Sequence, residues 1–277
     1  MKKKIKLNRI VILAFLMVLL SACGNINEPI TSDSTGIWDG IILYNLSQFI
    51  IWLSNLFGGN FALGIILFTI IIRLLLLPLN IMQMKSQRKM MEIQPEIEAI
   101  KKKYPNKDKD SLERMQVEQQ ALMEERGVNQ FAGCIPLLLQ FPILMALYQA
   151  ISRNETIRQG HFLWMNLGEP DKFFVLPVLA ALLTYWNSYL NMKANPQQNI
   201  STKSMLYMMP IMIFFISLGL PSAVSLYWVI SNLLSVLTTY AFNNPNKIIE
   251  ERQLKQQVEK EKERQLKKAL KKVKSRR

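Results

Sequence analysis

Five apolar stretches, at residues 61–79, 134–152, 173–191, 205–220 and 222–242, alternate with segments that hold nearly all of the charge. Most of them approach the ~20 residues a helix needs to cross a hydrocarbon core roughly 30 Å thick. In lipid every backbone amide must be satisfied within the protein, so blocks of this length can only be helices. Half of the 277 residues are hydrophobic, yet 34 Lys and Arg stand against 20 Asp and Glu, a net charge of +14. High apolar content and a strong basic excess coexist when they are segregated, as here. The expected fold class is an all-α polytopic membrane protein.

The chain opens with a processing signal. Lys2, Lys3, Lys4, Lys6 and Arg9 form a basic region, and residues 10–20 form an apolar core too short to span comfortably. Leu20-Ser21-Ala22-Cys23 then resembles the bacterial lipobox, in which the cysteine thiol is lipidated and becomes the mature N-terminus. Residues 1–22 are read as a lipoprotein signal peptide, Cys23 as the acylated residue, and 23–36 as an extracytoplasmic linker. Residues 37–57 carry Gly40, Ser47 and Ser54 at seven-residue intervals. Trp38, Ile42, Phe49, Trp52, Leu53 and Leu56 fill the remainder, a pattern suited to an amphipathic helix lying in the interface.

Charge fixes the expected topology. With Cys23 outside and five spans, the internal segments 80–133, 192–204 and 243–277 hold 25 Lys and Arg. The external segments hold Arg153, Arg158 and Lys172 alone, in keeping with the positive-inside rule. Cys23 and Cys134 then fall on opposite sides, so no disulfide is expected. No metal-ligand spacing is present, and no cofactor is expected.

Within the internal segments, residues 84–130 read as a helical hairpin: two polar helical runs separated by Pro105-Asn106-Lys107-Asp108 and closed by Gly127. Residues 205–220 would reach only ~24 Å as a helix, which thins the bilayer locally. The tail from 243 carries 13 Lys and Arg against five Glu. It can rest on anionic lipid, or dock on ribosomal RNA with release of counterions.

The residue that asks for a function is Arg73, inside "GIILFTIIIRLLLLPLN". A central arginine costs roughly 2.5–3.5 kcal/mol on insertion scales. It must either snorkel to the headgroups or sit in a polar space the protein keeps open. Other polar residues in the spans align. Ser225, Trp228, Asn232, Ser235 and Thr239 follow helical spacing on the last span; Thr184, Asn187 and Asn191 do so on the third; Gln140 adds an amide on the second. Interhelical hydrogen bonding accounts for each stripe taken singly. Together with Arg73 they predict a hydrated groove. The spans contain no Asp or Glu, which argues against a proton- or ion-coupled transporter. No nucleophile–base pair is evident and His161, the single histidine, lies in an external loop, so an enzyme is not expected.

Four segments carry a resemblance: "IIRLLLLPLN", the hairpin, "GCIPLLLQFPILMALYQAI" and "GLPSAVSLYWVISNLLS". In this order and spacing they resemble the YidC family of membrane protein insertases, related to the mitochondrial oxidase-assembly and chloroplast Albino proteins. The lipobox and the lack of a large periplasmic domain resemble its Gram-positive lipoprotein branch. Gln130 stands where the family pattern carries a proline, a departure that bears on the hairpin's return. The resemblance implies five spans around a cytosol-open hydrophilic groove within a core of residues 58–242. It implies an insertase and chaperone acting without ATP on nascent membrane proteins, and Arg73 as the charge that attracts acidic translocated tails. Gln140, Asn187, Trp228 and Asn232 are the candidate groove neighbours. The ribosome, the Sec translocon and membrane lipids are the further expected partners. A small-solute or ion transporter or channel, and a purely structural assembly factor, are the competing readings.

Overall fold

The computed structural model describes residues 28–106, 108–128, 135–194 and 200–274. The signal peptide, Cys23, Gln130 and Cys134 lie outside the described residues. A π-helical segment, Gly36–Leu43, runs into α1 (Tyr44–Asn55). Then follow α2 (Phe61–Leu75), α3 (Leu77–Lys103), α4 (Lys109–Glu125), α5 (Ile135–Arg153) and the short α6 (Glu155–Arg158). A two-stranded hairpin pairs β1 (His161–Phe162) with β2 (Met165–Asn166). The chain ends in α7 (Val175–Lys193), α8 (Ile200–Leu218), α9 (Ser222–Phe242) and α10 (Pro245–Lys274).

The first apolar stretch does not run straight to residue 79. It breaks at Leu76, and α3 leaves α2 at 58°. Pro78 explains the break: it cannot donate to the Leu74 carbonyl, but it is tolerated in the first turn of a new helix. The helix that follows continues without interruption through Pro95 into the hairpin, so the first arm of that hairpin starts at the bend. Among the described residues, the helical stretch Ser222–Lys268 is by itself long and apolar enough to cross a membrane. The bent pair α2 and α3 forms a second if taken together, and Leu206–Leu218 is a shorter apolar helix.

The packing divides the bundle into a dry end and a polar end. The main core gathers Ile50 and Leu53 of α1, Ala62, Ile65 and Phe68 of α2, Leu147 and Ile151 of α5, Leu176 and Ala180 of α7, and Val224 and Tyr227 of α9. These are the start of α2, α7 and α9 and the end of α5. Loop residues Ile157, Met165 and Leu167 seal it. The same loop caps two helices. Ser222 donates from both its amide and hydroxyl to the Glu169 carbonyl at 2.7 Å, and the Asp171 carboxylate accepts from the Leu176 amide at 2.7 Å. Orphan amides at helix starts are thereby satisfied.

In residues 37–57 the small residues turn inward. Ser47 and Ser54 are fully buried, so the small-residue stripe is the packing face. Gly64 of α2 abuts the Ser54 hydroxyl, a position where any Cβ would collide. Trp38 and Leu53 also turn inward, whereas Phe49, Trp52 and Leu56 remain exposed. The hairpin is separate from the main core. Ile93 and Ile97 of α3 pack on Met123 of α4 and on Val128. Lys103–Glu118 at 2.9 Å and Arg126–Glu96 at 2.9 Å bridge its arms. Gly127, at φ +60°, makes the reversal after α4.

Candidate functional site

Arg73 lies in the last turn of α2, where a cation favours the carbonyl end of the helix. Its Nε donates to the Ser231 hydroxyl of α9 at 2.8 Å, and Nη2 donates to the same oxygen. Among the described residues, no carboxylate lies within ion-pair distance of it. A guanidinium carries five N–H donors in a rigid fork, so one hydroxyl leaves most of its capacity open.

Two cavities flank the side chain. The larger, about 170 Å³, is lined by Arg73, by Asn80, Gln83, Met84 and Gln87 of α3, by Asn187 and Asn191 of α7, and by Ser235, Thr238 and Thr239 of α9. The smaller, about 50 Å³, is lined by Arg73, Ile72, Leu76 and Asn80, by Leu139, Gln140 and Ile143 of α5, and by Tyr227. The bend at Leu76 builds the larger one, because it lays the polar face of α3 across the ends of α7 and α9. Hydrogen bonds fix the walls. Asn187 Nδ2 donates to Ser235 at 2.9 Å, Asn191 Nδ2 to the Asn187 carbonyl at 3.0 Å, and Gln140 Nε2 to the Tyr227 hydroxyl at 2.8 Å.

The structure therefore brings together Arg73, Gln140 and Asn187. It does not bring Trp228 or Asn232 to either cavity. Trp228 packs against the main core, and Asn232 Nδ2 donates to the Trp228 carbonyl at 3.0 Å within α9. Cys23 lies outside the described residues. Sequence reasoning missed Ser231, Tyr227, Asn80 and Gln83. Ser231 and Ser235 are four residues apart and share a face, so their spacing held the signal for the partner of Arg73.

At the base of the hairpin, Arg88 pairs with Glu92 and with Glu251 of α10, and Arg252 donates to the Ala194 carbonyl at 2.8 Å. The hydrogen bond from Arg88 holds the Glu251 carboxyl below the usual carboxylate range. The tail helix is thus tied to both α3 and the end of α7. Farther along, Leu254, Val258 and Leu266 are exposed.

Comparison with known proteins decides the family. The model of the 60Kd inner membrane protein family matches residues 52–253. The chain belongs to that family. Among its relatives is the membrane protein insertase YidC 2 of Listeria innocua serovar 6a, 46% identical over 268 residues, covering 95% of this chain and 93% of the relative. Another is the membrane protein insertase YidC 1 of Lactococcus lactis subsp. lactis, 48% identical over 262 residues and covering 95% of both. The membrane protein insertase MisCA of Bacillus subtilis is 43% identical over 229 residues, covering 83% of this chain and 88% of that one. Among solved structures, the crystal structure of an active YidC insertase with its first transmembrane domain resolved matches with a TM-score of 0.58 at 33% identity. The match covers 80% of this chain and 50% of the solved one, so the chain spans half the length of that insertase.

Proposed function

We propose that this member of the family is a membrane protein insertase of the cell membrane, acting on nascent membrane proteins rather than catalysing a covalent reaction. The observation that carries the mechanism is the condition of Arg73: a cation held by one hydroxyl, beside amide-lined cavities, with no carboxylate among the described residues to neutralise it. A carboxylate of an incoming polar tail completes the pair. At about 4 Å and an effective dielectric near 20, such a pair is worth about 4 kcal/mol before desolvation. That suffices to draw a short tail into the groove while its apolar segment moves into lipid. The outward aromatic and methionine surface of α7 and α8, including Tyr185, Tyr189, Tyr207 and Met208, offers an adaptable slide for that segment.

The reading carries a topology. Five spans cross the membrane, with the hairpin and α10 in the cytoplasm and residues 37–57 in the outer interface. The charge distribution supports it. Cys23 is the lipidated N-terminus of the mature chain, which loss of fatty-acid labelling in Cys23→Ser would establish. The basic tail engages ribosomes, with anionic lipid as the simpler alternative, and the Sec translocon is a further partner of the protein. Salt-resistant, unchanged ribosome co-sedimentation after deletion of residues 250–277 would leave lipid alone.

The decisive experiment uses the purified protein in liposomes with a small single-span substrate whose translocated tail is acidic. Arg73→Glu is expected to fold and to lower insertion on the order of tenfold or more. Arg73→Lys retains much of the activity, because a positive charge matters more here than a bidentate fork. Normal insertion by a folded Arg73→Glu protein would end the groove mechanism.

A further inference from the structure

One polar group in the larger cavity is unaccounted for. Gln83 is only 6% exposed, yet its Nε2 has no hydrogen-bond acceptor among the described residues. Native proteins rarely bury such a donor, and an instance of it calls for an explanation. Asn187 and Asn191 on the cavity wall are committed, to Ser235 and to Asn187, while the amides of Asn80 and Gln87 are only half-buried and can meet water. Arg73 is committed in part to Ser231. Among the described residues, Gln83 is the donor on this wall that is both buried and without a protein acceptor.

Its position is informative. Gln83 sits two turns beyond the Leu76 bend, on the face of α3 that also presents Asn80 and Gln87 to the cavity. It therefore stands between Arg73 and the base of the hairpin. A volume of about 170 Å³ is far too narrow for a helix of roughly 10 Å diameter, but it admits an extended stretch of one or two residues. At ~30 Å³ per molecule the same space takes about six waters. Solvent in a space of this size can serve Gln83, and a peptide oxygen can replace such a water.

We infer that Gln83 is the donor of a peptide-backbone subsite at the hairpin end of the Arg73 cavity, receiving a main-chain carbonyl of the polar segment in transit. A neutral amide donates to a carbonyl with little regard for the side chain attached to it, whereas Arg73 selects carboxylates. The two groups therefore divide the work. Arg73 favours acidic tails, and Gln83 holds any unfolded polar stretch, including one without charge. This inference rests on the groove reading above.

The test uses the full chain in liposomes and two synthetic single-span substrates, one with an uncharged Asn- and Ser-rich tail and one with two aspartates in that tail. Gln83→Leu is close in volume and removes the donor. It is expected to lower insertion of the uncharged tail roughly three- to tenfold, with a smaller loss on the acidic tail. Its thermal midpoint should hold or rise, because a buried unsatisfied donor has been removed. A merely structural glutamine would give the reverse, a lower midpoint with equal loss on both substrates. Gln83→Met provides the same comparison should the leucine variant fold poorly. Unchanged insertion of the uncharged tail by either folded variant overturns the subsite. Arg73→Glu, run in parallel, separates the two readings. If it abolishes insertion of the acidic tail while Gln83→Leu is silent, only the subsite falls. If it leaves that insertion intact, the groove reading fails as well.

Discussion

Two arginines of this molecule, Arg153 buried and Arg73 half-buried, are held in opposite ways. Arg153, at the end of α5, has every direction of its guanidinium answered. Nη1 and Nη2 meet the Asp39 carboxylate at 3.0 and 2.7 Å, Nε meets the Glu28 carbonyl at 2.7 Å, and Nη1 also reaches Gln149 at 3.2 Å. The Trp38 indole donates to the same Gln149 oxygen at 3.1 Å, and the Ile30 amide donates to the Arg153 carbonyl at 3.1 Å. Arg73, at the other end of the bundle, has one hydroxyl. The first arrangement is closed and locks the segment before α1 onto α5. The second is open, and an open cation at a cavity is one that can still bind. Burial alone does not separate a structural charge from a working one; the completeness of its partners does.

The largest expected effect breaks the closed site. Arg153→Ala strands Asp39, of which the structure leaves only about a quarter exposed. Removing one partner of such a pair typically costs 3–5 kcal/mol. Unfolding in detergent should register that loss, and protease should cut residues 28–39 readily. The double change Arg153→Met with Asp39→Leu should recover most of the stability, since a well-packed apolar pair is often neutral. Arg73→Met strands no carboxylate, so its unfolding should move by no more than about 1 kcal/mol, the worth of a typical hydrogen bond. Its insertion activity should nevertheless fall. If Arg73→Met destabilises as much as Arg153→Ala, the open site is structural after all and the contrast is lost.

The same contrast shows what could be read from the chain. Arg73 was conspicuous because its neighbours in sequence are apolar, and Gln140 and Asn187 followed because amides in spans must find partners. Helical phase was harder. Asn232 lies one residue, about 100°, and Trp228 three residues, about 60°, around α9 from Ser231, and α9 turns Ser231 toward α2. Gln83 was illegible for a different reason. In sequence it looks like one more polar residue of the internal segment 80–133. Its burial depends on a 58° bend and on which helices α3 then crosses. Arg153 read as an external loop cation, because its partners, Asp39 and the Glu28 carbonyl, are more than 110 residues away. Pro78 held the signal for the bend, although the sequence reading runs 61–79 as one span. The inward turn of Ser47 and Ser54 could have followed from their size, since small residues are what let two helices approach closely.

The smallest effect extends the comparison to ion pairs in full contact with water, at the hairpin. The hydrogen bond from Lys103 holds the Glu118 carboxyl below its ordinary range, and the hydrogen bonds from Ser111 do the same for Asp108 at the start of α4. A carboxylate whose folded value is depressed adds stability above its unfolded value, and that contribution is lost as pH falls through the folded value. With reference values of 4.5 for Glu118 and 3.8 for Asp108, the hairpin should be indifferent to pH near neutrality. It should loosen only as the pH drops below about 4. Both groups are solvent-exposed, so screening keeps the effect small, and added salt should shrink the Lys103–Glu118 share first. Amide exchange at residues 109–112 reports the cap, and Asp108→Ala should raise that exchange at neutral pH while removing its dependence on acid. Ile93, Ile97 and Met123 should keep the arms together throughout, because their burial carries no charge. If the arms separate as a unit on acidification, the exposed pairs hold the hairpin more than its apolar seam does. Completeness of partners would then count for as much in water as it does in the buried Arg153 site.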